Sequence, residues 1–332
     1  MKRLAKGTLQ WLASTLGPQR CSGPDPRLWI LMYHRILPES DPRYRDEEPG
    51  MVVTPETFRQ HLRQIKQLFT VLPLSEWIER RAAGRPLPQR ACAVTFDDGW
   101  LDNFEFALPA LQQEQLPATL FAVSHMIGTT QQFWPNRVAR LLATAAANSH
   151  SDPALAWLYA ATDDATGSAP DGEQLGRIIA NLKQYPDSEL RERLDAAETA
   201  LGLSAPATPA LVDWEQLRAM QNTGLVEIGS HTCHHFRLTT ALPPALIEQE
   251  VLDSRKYLEQ QLQKPVTLFC YPNGDTSPVA LDLVRRHYAA AVTTRRGINS
   301  AATHTHELMR VGIHEHISHT PTQFEARLSG WV

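Results

Sequence analysis

The feature that most constrains this chain is a repeated order: a short apolar run, then polar residues able to do chemistry, then a stretch of helical periodicity. From residue 26 onward such runs occupy positions 29–33, 92–96, 119–123, 225–229, 267–271, 290–294 and 309–313. Apolar runs of this length alternating with helical patterns mark βα units around a parallel sheet. The residues that follow them are, in order, His34; Asp97 and Asp98; Ser124 and His125; Ser230 and His231; Pro272 and Asn273; Arg295 and Arg296; and His314. Enzymes built on barrels and open α/β sheets place their chemistry at the carboxyl ends of the strands. One such residue is easily a packing residue, but so many at the same relative place predict an α/β enzyme with its site at one end of the sheet.

The pattern is broken once. Residues from about 133 to 214 are Ala-rich and helix-favouring, with polar interruptions at Asp163, Asp164, Gly167, Ser168 and Pro170 and no clear strand. This reads as a helical insertion on one βα connection, either a specificity cap or a packing element. The expected organisation is an amphipathic segment over 1–25 and one domain over 26–332 that carries the insertion. With 32 Lys+Arg against 36 Asp+Glu, the formal net charge is −4, which lacks the basic surplus of a nucleic-acid binder. The four cysteines lie far apart and read as buried or reduced thiols, with Cys233 and Cys270 as packing residues, not a disulfide framework.

The first residues are basic, but Lys6, Thr8, Gln10, Ser14 and Thr15 interrupt any continuous apolar stretch, so no standard secretory h-region forms. A cytoplasmic location is expected. Leu4, Leu9, Trp11, Leu12 and Leu16 form one apolar helical face with Lys2, Arg3 and Lys6 outside it. That face suits a helix lying on the inner surface of a membrane, or one packed on the domain.

Two motifs carry the chemistry. Ala93-Val94-Thr95-Phe96-Asp97-Asp98-Gly99 is an apolar strand ending in adjacent carboxylates. A sharp turn at Gly99 lets both reach one cavity; a cation or an arginine beside them keeps them ionised. Ser230-His231-Thr232-Cys233-His234-His235 places two imidazoles four residues apart, which on a helical turn share a face and bind one cation. With Asp98 the set becomes two histidines and a carboxylate, leaving a coordination position open for water. Asp97, not needed as a ligand, is placed to act as general base.

Thr95-Phe96-Asp97-Asp98-Gly99 followed by His231-Thr232-x-x-His235 resembles the first two motifs of the polysaccharide deacetylase family, carbohydrate esterase family four, also called the NodB homology domain. Leu31-Met32-Tyr33-His34-Arg35 and Phe269-Cys270-Tyr271-Pro272-Asn273-Gly274 resemble its branch acting on bacterial surface polysaccharides. The resemblance spans about residues 28 to 320 apart from the insertion. It implies a distorted (β/α)7-type barrel and a hydrolase that removes N-acetyl groups from a carbohydrate with the help of a divalent metal, usually zinc. It assigns Asp97 as base and Asp98, His231 and His235 as metal ligands, and it makes the backbone N–H of Asn273 the oxyanion donor.

The match has gaps. The family's third motif carries an arginine where this chain has Cys270; Arg310, Arg35 and Arg295 are the candidates to replace it. The tryptophan-bearing fourth motif is absent, since no Trp occurs between Trp214 and Trp331. The fifth is approximated by Val311-Gly312-Ile313-His314, which makes His314 the candidate general acid. Tyr271, Pro272, His34 and Arg310 are expected to line the substrate pocket, and Trp134 and Trp214, flanking the insertion, to stack on sugars or anchor the core. An O-acetyl esterase and a catalytically weak glycan-binding relative of the fold stand as alternatives. Of the 13 histidines, His304, His306, His316 and His319 are expected on connecting segments.

Overall fold

The computed structural model describes residues 2–45, 47–48, 50–147, 153–161 and 170–332. Seven parallel strands form its centre: β1 Arg27–Tyr33, β2 Arg90–Phe96, β3 Ala118–Ala122, β4 Val226–Ser230, β5 Leu268–Cys270, β6 Ala290–Arg296 and β7 Leu308–Gly312. Each of β2 to β7 pairs with its predecessor in parallel register, and β1 pairs with both β7 and β2. The sheet therefore closes into a seven-stranded (β/α) barrel. The strands lie where the apolar runs predict them, within about two residues at each end.

Side chains alternate across each strand, and the barrel sorts them. Leu28 and Ile30 of β1, Ala91 and Ala93 of β2, Phe121, Leu268, Cys270, Val292 and Leu308 fill the lumen, while Trp29, Leu31, Tyr33, Val94 and Phe96 face the surrounding helices. Phe121 fills the lumen so closely that a Cβ on Gly229 would lie 2.5 Å from its ring. Continuing the same period puts Thr95, Cys270 and Arg310 on the inward face at the carboxyl end. The opposite end is sealed by Leu74, Trp77 and Ile78 of the helix Leu74–Ala82.

The helices start at local signals. Helix Pro55–Leu68 has Pro at its first position and Thr54 as cap, accepting from the Thr57 N–H at 3.3 Å, a pairing worth about 1 kcal/mol. Its buried stripe of Phe58, Leu62 and Ile65 packs on the barrel. Between β3 and β4 the predicted insertion carries helices, followed by irregular chain over 201–213: Trp134–Ala147, Gly172–Leu182 and Asp187–Ala200 pack Val138, Leu141, Ile178, Ile179, Leu190 and Leu194 into an apolar cluster of their own. Positions 163, 164, 167 and 168 lie outside the described residues. Helix Lys2–Leu16 rests on Pro321–Leu328 with Ala13 buried, and Arg20 pairs with Glu325 at 2.5 Å. No helix among the described residues is long and apolar enough to cross a membrane.

Candidate active site

The site forms where β2, β4, β5 and β7 end. At the end of β2 the backbone turns through two successive left-handed residues, Asp98 at φ 77° and Gly99 at φ 90°. The turn thus begins one residue earlier than Gly99, on an aspartate, a residue type that tolerates this conformation better than most. Gly99 has little room for a side chain: a Cβ would meet Ile127 Cδ1 at 3.0 Å. The result is two adjacent carboxylates, both at most 4% exposed.

Asp98 Oδ1 stands 3.5 Å from His231 Nε2 and 3.5 Å from His235 Nε2. These gaps are too long for good hydrogen bonds, yet donors about 2.1 Å from a tetrahedral cation lie about 3.4 Å apart. The three side chains therefore fit a divalent ion. Their partners aim them: the other ring nitrogen of His231, Nδ1, lies 2.8 Å from the Cys270 carbonyl, and Trp100 donates to Asp98 Oδ2 at 2.8 Å. Such outer bonds fix the ring orientation of a ligating histidine. Burial, reinforced by His231, holds His235 down to about 3, keeping its ring neutral and its lone pair free.

The spacing of His231 and His235 predicts a helical turn, and here the structure differs. Residues 231–235 form a loop in which Thr232 (φ 66°) and His235 (φ 60°) are both left-handed. The Thr232 hydroxyl accepts from the His235 N–H at 2.9 Å, and its carbonyl accepts from Ser124 N–H at 3.1 Å. A β-branched residue with positive φ is a strained choice, maintained by this pinning, and it turns the two rings to 4.8 Å apart.

Asp97 is held differently. Arg310 Nη1 and Nη2 donate to its two oxygens at 2.7 Å each, and Cys270 Sγ lies 3.6 Å from Oδ2 and 3.2 Å from Arg310 Nη2. Burial pushes the Asp97 carboxyl up, but Arg310 outweighs it and keeps the group below the usual carboxylate range. One expectation is corrected here. Arg310, expected to line the substrate pocket, is fully buried behind Asp97 with its remaining donors on Thr293 O and Thr95 Oγ1; of the three arginine candidates it is the one that meets Asp97. Cys270 packs in the lumen as expected, and its thiol also touches Asp97. The other arginine candidates are committed elsewhere, Arg35 to Asp102 and Glu47 and Arg295 to Glu307.

The remaining predicted residues divide. His34 is at the mouth, its Nε2 3.8 Å from Asp97 Oδ2. Asn273 follows buried Pro272 with φ 57°, and its side chain accepts from Lys183 of the insertion at 3.0 Å. Tyr271 is a further correction: its ring has no exposed surface and packs edge-on against Phe269, so it cannot line a pocket. His314 ends β7 half-buried, with Nδ1 buried and unpartnered; burial, then His316 and Arg327, push it down to about 4. His125 stacks near His234 and Tyr257 instead of joining the ligands. Trp214 meets Tyr257 edge-on, whereas Trp134 faces a cavity beside His235.

Comparison with known proteins identifies the family and the fold. The family model described as polysaccharide deacetylase matches residues 84–292, more than half of the chain. At the level of sequence no curated protein matches it. Among solved structures it is similar to the Streptococcus pyogenes deacetylase PplD in complex with acetate (TM-score 0.59, 20% identity, 90% of this chain and 97% of that one). It is also similar to IcaB from Ammonifex degensii (TM-score 0.59, 19% identity, 91% and 97%) and to BC0361, a polysaccharide deacetylase from Bacillus cereus (TM-score 0.57, 17% identity, 92% and 69%). At these identities the structures establish the fold.

Proposed function

This chain belongs to the polysaccharide deacetylase family, and from that premise we propose that it is a metal-dependent hydrolase removing N-acetyl groups from amino sugars of a bacterial surface polysaccharide or its lipid-linked precursor. The observation that carries the reading is the separation of two roles in adjacent residues: Asp98 faces two imidazoles and Asp97 faces an arginine. Binding alone needs no second carboxylate held ionised beside the ligands, which weighs against a glycan-binding relative that has lost catalysis.

Asp98, His231 and His235 would hold the divalent ion, with zinc the expected one. When bound, it lowers the pKa of water and polarises a carbonyl oxygen. Asp97 takes the water proton on Oδ2, the oxygen turned toward His34. The Asn273 N–H donates to the oxygen that gains charge on the acetamide carbon, a contact worth about 3 kcal/mol in the transition state. The proton that Asp97 takes from water is the one the departing amine gains; His314, whose ring burial holds down to about 4, is assigned to pass it on. Acetate and a free amine result. His34 and Pro272 would border the sugar.

A membrane-bound substrate accords with the surface. Of the six large apolar side chains exposed among the described residues, Leu9, Trp11, Leu12 and Leu16 sit on the first helix. Trp331 is a fifth, and the chain just before it, at Ser329, lies against Gly17 at the end of that helix. We place this face against the inner surface of the membrane.

The test is acetate release from N-acetylglucosamine oligomers by the metal-loaded protein. It should vanish in Asp97→Asn while metal content stays at one equivalent. Release from O-acetylated but never N-acetylated sugars would replace this reading with the esterase alternative.

A further inference from the structure

Asp98 offers the two histidines one oxygen and keeps the other elsewhere. Oδ1 faces both rings at 3.5 Å, while Oδ2 accepts from the Trp100 indole N–H at 2.8 Å, its one hydrogen bond among the described residues. A buried indole N–H needs a partner, so the bond alone does not say which residue holds the other. The surroundings of Trp100 do.

The indole is fixed without Asp98. The Arg35 guanidinium lies over its face, 4.2 Å from the ring centroid, and Phe133 meets it edge-on at 5.2 Å. The main chain on either side is pinned as well: the Leu101 N–H donates to the Ala210 carbonyl at 3.0 Å and the Val212 N–H to the Gly99 carbonyl at 2.9 Å. Both ends of the insertion therefore frame this tryptophan. Arg35 is 4% exposed and is itself clamped, with Nε and Nη2 on Asp102 at 3.0 and 2.8 Å and Nη1 on Glu47 at 2.5 Å. A cation over the face of an indole is attracted to it, and its charge makes the ring N–H a stronger donor to a carboxylate. The order of control thus runs from Arg35 through Trp100 to Asp98.

We propose that Trp100, backed by Arg35, is a positioning residue for the candidate cation: it holds Oδ2 back, so that Asp98 turns Oδ1 alone to the ion and leaves the open coordination to water and substrate. This gives a role to Arg35, which closes the run Leu31-Met32-Tyr33-His34-Arg35 and does not pair with Asp97. The proposal rests on the metal-site reading above and is independent of which acetylated sugar is the substrate.

The experiment measures zinc affinity by competition with a chromophoric chelator. Trp100→Phe keeps an aromatic ring beneath Arg35 and removes the donor; it should weaken zinc binding by about ten- to a hundredfold, the usual effect of losing a partner of a metal ligand. The free zinc that half-activates acetate release should rise by the same factor. Arg35→Lys keeps a positive charge between Asp102 and Glu47 but loses the flat face over the indole, and should cost less, within about tenfold. In the Arg35→Lys, Trp100→Phe double variant the loss should match that of Trp100→Phe alone, because the arginine acts through the indole N–H. Zinc held as tightly by Trp100→Phe as by the wild type overturns the proposal, and additive losses in the double variant overturn the part given to Arg35. His231→Ala separates the two levels of argument. If it abolishes zinc binding while Trp100→Phe leaves the affinity unchanged, the metal site stands and the positioning role falls; a wild type that binds no zinc overturns both.

Discussion

Arg310 grips both oxygens of Asp97 at 2.7 Å, an ion pair without solvent exposure on the arginine that ties the last barrel strand to the end of the second, across β1. Taking two charges out of water is costly, and such a pair holds only when each partner is fully satisfied. Here Thr293 O, Thr95 Oγ1 and the Cys270 thiol complete the shell. The pair orients Asp97 and links β7 to β2 across β1.

Breaking it should therefore show in two readouts. Arg310→Gln leaves a buried carboxylate unpaired, a change that costs about 3–5 kcal/mol, read as a lower denaturant midpoint. Acetate release should fall by about a hundredfold or more, because a misplaced base loses most of its advantage. Arg310→Lys restores the charge but not the two-pronged geometry, so it should recover stability in part and activity less. Wild-type kcat/KM in a folded Arg310→Gln protein would refute the positioning role.

The ligand set makes a separate prediction. His231→Ala removes a donor whose ring is aimed by the Cys270 carbonyl, and metal content by elemental analysis should drop from one equivalent to well below half. Asp97→Asn should keep its metal, because its carboxylate faces Arg310. Dialysis against a chelator should abolish wild-type acetate release, and added zinc should restore it. A wild-type protein purified without metal and indifferent to chelator would sink the metal-dependent reading.

How much of this was legible in the chain follows from sequence distance. The seven strands are readable because each is an apolar run closed by polar residues, and Asp97, Asp98, His231 and His235 because each pair lies within five residues. Arg310 is not separable from Arg35 and Arg295 by sequence, since it stands 213 residues after Asp97 and only barrel closure brings them together. One signal was available: two residues after Leu308, the period of a strand points Arg310 into the lumen. Tyr271 was misassigned because its neighbours Pro272 and Asn273 do turn to the site, while the strand end still directs its own ring into the core. The loop form of residues 231–235 was hidden too, because i,i+4 spacing fits a helix as well as a turn with two left-handed residues.

His61 supplies a pH prediction remote from the catalytic groups. Its ring is fully buried, stacked on Phe324 at 3.9 Å, with Nε2 2.7 Å from the Ser318 carbonyl and Nδ1 3.2 Å from the Tyr33 hydroxyl. Burial pushes it down from 6.5 to about 3. A histidine depressed in the fold contributes stability that is complete above its unfolded value and is lost as pH falls below it. Between pH 7 and pH 5 this one group should account for about 2 kcal/mol of lost stability. His61→Gln should be less stable at pH 7 yet flatter by that amount across the same interval. Identical slopes in urea titrations of the two proteins would dismiss the assignment.

The exposed apolar face of the first helix gives a prediction independent of catalysis. Leu9, Trp11, Leu12 and Leu16 are all more than a third exposed, although Ala13 on the same helix is buried against the domain. A helix that packs one face and still presents three leucines and a tryptophan to solvent offers an apolar face suited to a membrane interface, and the basic residues in its first turns favour an anionic surface. In sedimentation with vesicles containing anionic lipid, the wild type should bind and lose affinity as salt rises. Trp11→Glu with Leu16→Glu should weaken partition by about tenfold or more, while acetate release from soluble oligomers stays as in the wild type. The paired readout matters because the same substitutions that detach the protein from vesicles leave the barrel end carrying Asp97 and Asp98 untouched. A variant that lost both together would report damage to the fold, and one that lost neither would show that this face does not serve the membrane.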